Sequence, residues 1–252
     1  MPDPIAIAGP DGVSAEALIF LDAPALIAGV ADFIAAEAAQ AIAARGVFSI
    51  ALSGGNTPKP VYERLAGKQL DWRRVHVFFG DERCVPPDDP RSNYHMAKLA
   101  LFDRVAIPPG NIHRMRGEDE PNAAAESYAT ELKSALGPDS RFDLVLLGLG
   151  DDGHTASLFP GLAAVSETER TVLACYVESV GMWRLTLTPP TINAARRVAF
   201  LVSGPDKAPI IQRVVQGPRQ PVVLPSQIVR PAAQPALWLI DEAAAARLDK
   251  RS

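Results

Sequence analysis

The chain has 252 residues, 48% hydrophobic and 21% charged, the balance of a folded domain rather than a disordered chain. Its formal net charge is −4 and it contains no run of five or six basic residues, which argues against nucleic acid as a partner. An anionic ligand must then be held by a few placed cations and backbone amides, not by the overall field.

Asp22 can cap a helix from about Ala23 to Arg45, and Gly46 can end it. Leu26, Val30, Phe33 and Ile34 recur at helical spacing within it, and alanine fills most of the rest. Val47–Leu52 reads as a short buried strand, followed by Ser53-Gly54-Gly55-Asn56-Thr57-Pro58, with Pro58 suited to the first turn of a helix through Val61, Tyr62 and Leu65. Val75–Phe79 is a second apolar strand and runs into Gly80-Asp81-Glu82-Arg83. Helices are expected over Ser92–Phe102 and Pro121–Leu136. A third buried strand, Leu144–Leu149, closes in Gly150-Asp151-Asp152-Gly153-His154. Further strands are expected at Val172–Tyr176, Arg184–Leu187, Val198–Val202 and Leu237–Ile240, with prolines such as Pro86-Pro87, Pro108-Pro109 and Pro189-Pro190 in connections.

Continuous apolar strands alternating with helices predict an α/β fold, a mostly parallel sheet with helices on both faces, formed as one domain over 1–252. A chain of this length buries roughly 70–75% of its unfolded surface and needs no disulfide or metal to hold a core. Cys84 and Cys175 lie far apart without CxxC spacing and are expected as free thiols in a reducing compartment. The opening Met-Pro-Asp-Pro lacks a basic and then apolar leader, and no apolar run approaches the roughly 20 residues that span a bilayer. The expectation is a cytoplasmic chain without a membrane partner.

In open α/β sheets ligands bind beyond the carboxyl ends of the strands, and three strands here end in polar loops. Ser53-Gly54-Gly55 lies between a strand and a helix, where backbone N–H groups can approach an anion, although the Walker spacing is absent and a plain tight turn gives the same pattern. In the second loop Arg83 can face that anion and Asp81 can accept hydrogen bonds from sugar hydroxyls; a solvated turn is the bland alternative. Arg91-Ser92-Asn93-Tyr94 lies near the pocket or simply caps a helix. Gly148-Leu149-Gly150-Asp151-Asp152-Gly153 fits the dinucleotide pattern GxGxxG, but Asp151 and Asp152 would place negative charge where a pyrophosphate must lie.

His154 follows at once. An imidazole takes and returns protons near neutrality, and Asp152 can orient it. His76 is expected as a satisfied core or edge residue; His95 falls on a helix and His113 before a strand-like segment. No HxH, HxxxH or Cys-His spacing appears, nor a GxSxG elbow, so neither a metal nor a serine nucleophile is expected, and Ser157 carries no mark of one. Arg184 and Lys207, each a surface charge on the bland view, can join Ser53, Gly54 and Gly55 as a clamp on a terminal phosphate.

Four blocks resemble the glucosamine-6-phosphate isomerase/6-phosphogluconolactonase family, specifically its lactonase branch. They are Ala51 to Pro58, Phe79 to Arg83, the long and specific stretch Gly148 to Gly161, and Arg184 to Thr188 with Ile192-Asn193 and later Lys207, in family order across most of the chain. The resemblance implies a Rossmann-like fold of the isomerase/CoA-transferase kind, a phosphosugar lactone as substrate and no cofactor. It also implies His154 as general base, Asp81, Arg83 and Asp152 in the site, and Arg184 and Lys207 on the phosphate. Deaminase relatives carry Asn-Glu-Pro where this chain has Leu158-Phe159-Pro160, and loss of that acid favours hydrolysis over deamination. A deaminase and a non-catalytic sugar-phosphate sensor are the rival readings, though no helix-turn-helix extension accompanies the latter. A monomer or weak homo-oligomer is expected.

Overall fold

The computed structural model describes residues 1–9 and 14–249. In chain order the strands and α-helices are β1 (Ile5–Ala8), β2 (Ser14–Phe20), α1 (Ala23–Arg45), β3 (Phe48–Leu52), α2 (Pro58–Leu65), β4 (Val75–Phe79), β5 (Asp81–Arg83), α3 (Asn93–Ala100) and α4 (Pro121–Leu136). Then follow β6 (Leu144–Leu147), β7 (Val172–Val177), β8 (Met182–Leu187), α5 (Pro189–Ala194), β9 (Arg197–Val202), α6 (Ala208–Val215) and β10 (Leu237–Asp241).

Seven strands form the main sheet in the order β1-β2-β10-β9-β6-β3-β4. All neighbours pair parallel except β1 with β2. Every residue of β3, β6 and β10 is buried. Successive side chains of a strand point to opposite faces, so both faces of the sheet are covered, as the unbroken apolar runs predict. Crossovers from β3 through α2 to β4 deliver the carboxyl ends of adjacent strands to one edge, which is where the polar loops lie.

The helix boundaries follow from local chemistry. Asp22 accepts the Ala25 N–H at 2.8 Å to open α1, and Gly46, at φ 84°, lets its own N–H close the helix on the Ile42 carbonyl. Contrary to the expectation above, α1 is long and apolar enough by hydropathy to cross a bilayer. Its alanines raise the mean hydropathy, and its Leu26, Val30, Phe33 and Ile34 are buried where the helix packs on β2, β3 and β10.

Two expectations need correction. Val172–Val177 and Met182–Leu187 are strands, but they do not join the parallel sheet: with β5 they make a separate antiparallel sheet, β5-β8-β7. A four-residue connection between them is too short for a crossover and permits only a hairpin. Pro189 and Pro190 likewise do not sit in a connection; they open α5, where a missing N–H and a fixed φ cost nothing. The β1–β2 pair was not anticipated at all.

Gly80 is the pivot between the sheets. Its N–H donates to Leu52 O of β3, while its carbonyl accepts from Leu187 N of β8, both at 2.8 Å. The chain thus leaves β4 and immediately pairs as β5, laying the small sheet against the carboxyl end of the large one.

Candidate active site

Ser53-Gly54-Gly55 leaves β3 with its backbone gripped by a buried tyrosine. Tyr62 of α2 donates to Ser53 O at 2.8 Å and its oxygen accepts from Ser53 N at 3.1 Å. Burial pushes the Tyr62 hydroxyl well above its ordinary pKa, so it stays a neutral donor and acceptor. Tyr128 of α4 makes the same clasp on Phe79 at the end of β4, accepting its N–H at 3.0 Å. A Cβ on Gly54 would overlap the Asn93 amide, so only glycine allows the loop and α3 to approach this closely.

The second loop is held by Glu82, which is buried and points away from solvent. Its carboxylate accepts from Asn93 N (2.7 Å), Tyr94 N (2.8 Å), Arg83 N (2.8 Å) and the Ser92 hydroxyl (2.9 Å). Burial raises its pKa, and those four donors pull in the opposite direction. Glu82 thereby fixes the start of α3, where Ser92 Oγ in turn accepts from His95 N. Both sequence-level options for this segment hold: Ser92 caps the helix, and Asn93 lines the pocket.

Asp81 is buried as well. It accepts from Ser157 Oγ at 2.7 Å and Asn93 Nδ2 at 3.1 Å, with Arg184 Nη1 3.9 Å away. Arg83 and Arg184 are directly opposed in the β5–β8 register. Like charges so placed repel. Burial lowers the Arg184 pKa and Arg83 adds to the effect, while Asp81 opposes it. A pair of guanidiniums in this position is stabilised by an anion between them.

The third loop sets out the proton chemistry. Asp152 Oδ1 accepts from His154 N at 3.0 Å and lies 2.6 Å from His154 Nδ1. Burial of Asp152 alone would raise its pKa, but the His154 N–H, the imidazole charge and the ring hydrogen bond outweigh it and leave the carboxyl below its ordinary range. An ionised carboxylate only accepts, so Nδ1 carries the proton and Nε2 is the basic nitrogen. A Cβ on Gly150 would overlap this imidazole, which makes glycine a requirement of the dyad. Phe159 stacks on the ring at 4.0 Å between centroids, an apolar partner in the segment where deaminases were expected to carry an acid. Lys207, on the turn after β9, donates to Leu149 O at 2.7 Å and to Asp151 Oδ1 at 2.6 Å.

These groups meet in one cavity of about 370 Å³, lined by Ser53, Gly54, Gly55, Asp81, Arg83, His154, Arg184 and Lys207 among others. Asp152 does not line it and acts on the imidazole from behind. Ser53 Oγ, Arg83 Nε, Asn93 Oδ1 and Arg184 Nε are buried there without a hydrogen-bond partner. Unpartnered buried polar atoms are costly unless a ligand satisfies them. A cavity of about 390 Å³ beside Phe200 and Trp238 has no His, Asp or Glu among its described lining residues. Among the described residues no group of three or more His, Cys, Asp or Glu is placed to hold a metal.

His76 and His113 lie outside this cavity. His76 sits on the edge strand β4 with its Nδ1 3.1 Å from His113 Nε2, and His113 is 2.7 Å from Glu131. Sequence reasoning missed Tyr62, Tyr128, Glu82 and Phe159 as parts of the site, and gave Asn93 a place near the pocket as one of two options. Glu82 and Phe159 had a local signal, their places in the second and third of the four blocks.

The sequence matches the family described as glucosamine-6-phosphate isomerases/6-phosphogluconolactonase over residues 21–238. It is 44% identical to a 6-phosphogluconolactonase of Nostoc sp., covering 90% of this chain and 95% of that one. A 6-phosphogluconolactonase of Synechocystis sp. is 45% identical over 83% of this chain and 88% of its own. The solved 6-phosphogluconolactonase of Trypanosoma cruzi superposes with a TM-score of 0.83 at 31% identity, covering 91% of this chain and 95% of that structure. With the family matched over most of the chain and relatives of this identity and coverage, the chain belongs to the glucosamine-6-phosphate isomerase/6-phosphogluconolactonase family.

Proposed function

We propose that this chain hydrolyses 6-phosphoglucono-1,5-lactone to 6-phosphogluconate, the lactone-opening step of the oxidative pentose phosphate pathway, with the site residues in the following roles. The phosphate is received by Arg184, Lys207 and the backbone and hydroxyl of Ser53-Gly54-Gly55. Asp81 holds Arg184 in place and, with Ser157 and Asn93, keeps the two sheets in register around the ligand. At the other end of the cavity His154 Nε2 removes a proton from water as the water attacks the lactone carbonyl. Arg83 supplies positive charge to the tetrahedral oxyanion. The imidazolium, held by Asp152, then returns the proton to the departing ring oxygen, which leaves the open-chain acid and restores the base. No covalent intermediate is required.

The observation that carries this reading is the cluster of unpartnered polar atoms on Ser53, Arg83, Asn93 and Arg184 around the same cavity that His154 lines. A dianionic, hydroxylated ligand satisfies them all. Phe159 on the His154 ring favours hydrolysis over deamination, because it leaves the imidazole without a neighbouring carboxylic acid on that side. The test is acid release from freshly prepared lactone. The native chain is expected to exceed the spontaneous rate by orders of magnitude, and His154→Ala to lose roughly 10²- to 10⁴-fold in kcat. An unchanged rate in His154→Ala would remove that residue from the mechanism, and ammonia release from glucosamine 6-phosphate would favour the deaminase.

A further inference from the structure

Asp151 and Asp152 are neighbours with separate partners. Asp152 serves the imidazole, whereas Asp151 is paired with Lys207 at 2.6 Å and does not line the cavity that Lys207 enters. Its side chain is 87% exposed, against 26% for that of Lys207. The ammonium has three donors, of which one is given to Leu149 O at 2.7 Å and one to Asp151.

We propose that Asp151 is a resident counter-ion which an incoming phosphate must displace or share at Lys207, so that this carboxylate sets how tightly the site holds its anion. The proposal rests on the reading that Lys207 receives the phosphate. The geometry supplies the rest. The Leu149 carbonyl keeps the ammonium in position whether or not Asp151 holds it, because it belongs to the loop backbone. An exposed ion pair contributes little, so its exchange for a phosphate carrying two charges is easy. Once phosphate has arrived, the Asp151 carboxylate lies within one ammonium of it and repels it. The same effect applies to the phosphorylated product, whose departure Asp151 therefore hastens.

The test titrates inorganic phosphate calorimetrically into the native protein, Asp151→Asn, Lys207→Met and the double variant, at low and high chloride concentration. Asp151→Asn is expected to bind phosphate roughly two- to five-fold more tightly, with KM for the lactone lower by the same factor. The gain should shrink at high salt, because the carboxylate is exposed, and vanish in the Lys207→Met background. Equal or weaker phosphate binding by Asp151→Asn would overturn the proposal, since a residue that merely positions Lys207 weakens the site when it is removed. If Lys207→Met weakens phosphate binding in that case, the phosphate reading itself survives. If Lys207→Met binds phosphate as tightly as the native chain, Lys207 leaves the phosphate site and both fall together.

Discussion

His154 has its proton placed by a carboxylate behind it, and that arrangement depends on a glycine two residues before the acid. Gly150→Ala would force a Cβ into the imidazole. The variant should stay folded, since the position lies in a surface loop, yet lose at least about 10-fold in kcat as the ring moves off its carboxylate. Steady-state kinetics beside a circular dichroism melt separates the two effects. Tyr62 offers a complementary prediction. Its hydroxyl satisfies both the N–H and the carbonyl of Ser53, so Tyr62→Phe leaves two buried groups unmet and should cost roughly 1–3 kcal/mol in urea unfolding. A change below a few tenths would contradict the clasp. Ser53–Gly55 and His154 were legible as cavity-lining residues because they stand in polar loops directly after apolar strands. Tyr62 and Tyr128 were not: within a helical pattern a tyrosine whose hydroxyl grips a distant strand end looks the same as any core aromatic.

At the scale of elements, the buried Glu82 carboxylate of β5 holds the start of α3, beside the bonds from Asn93 to Asp81. Because burial raises the Glu82 pKa above its ordinary 4.5, the folded protein keeps that proton to a higher pH than the unfolded chain. The corresponding stability is fully present below about 4.5 and is lost as pH rises through the folded value. Glu82→Gln cannot titrate. The stability of the native chain relative to this variant should therefore fall as pH rises through that window, measured by urea unfolding at several pH values; a flat difference would contradict the burial argument. The sequence marked Asp81-Glu82-Arg83 as a charged turn, and its pairing as a strand was hidden because the partner, β8, lies about a hundred residues away. β7 and β8 were read into the parallel sheet for a different reason. Their composition resembles that of buried strands, and only the short connection between them shows that they pair as a hairpin.

For the whole molecule, the cavity forms where two sheets meet at Gly80. The parallel sheet presents Ser53, the His154 loop and Lys207 at the carboxyl ends of β3, β6 and β9, and the antiparallel sheet brings Arg83 and Arg184 over them. The α/β class, and the edge of the sheet where the cavity lies, were legible from the alternation of apolar strands and helices. The second sheet was not, and without it the cavity has neither Arg83 nor Arg184 in its lining. The most direct measurement is a crystal structure of the chain with bound 6-phosphogluconate. The account predicts phosphate oxygens hydrogen-bonded to Arg184, Lys207 and the Ser53–Gly55 backbone, with the C1 carboxylate beside His154 Nε2. A phosphate bound at the imidazole end, or a ligand outside this cavity, would contradict it.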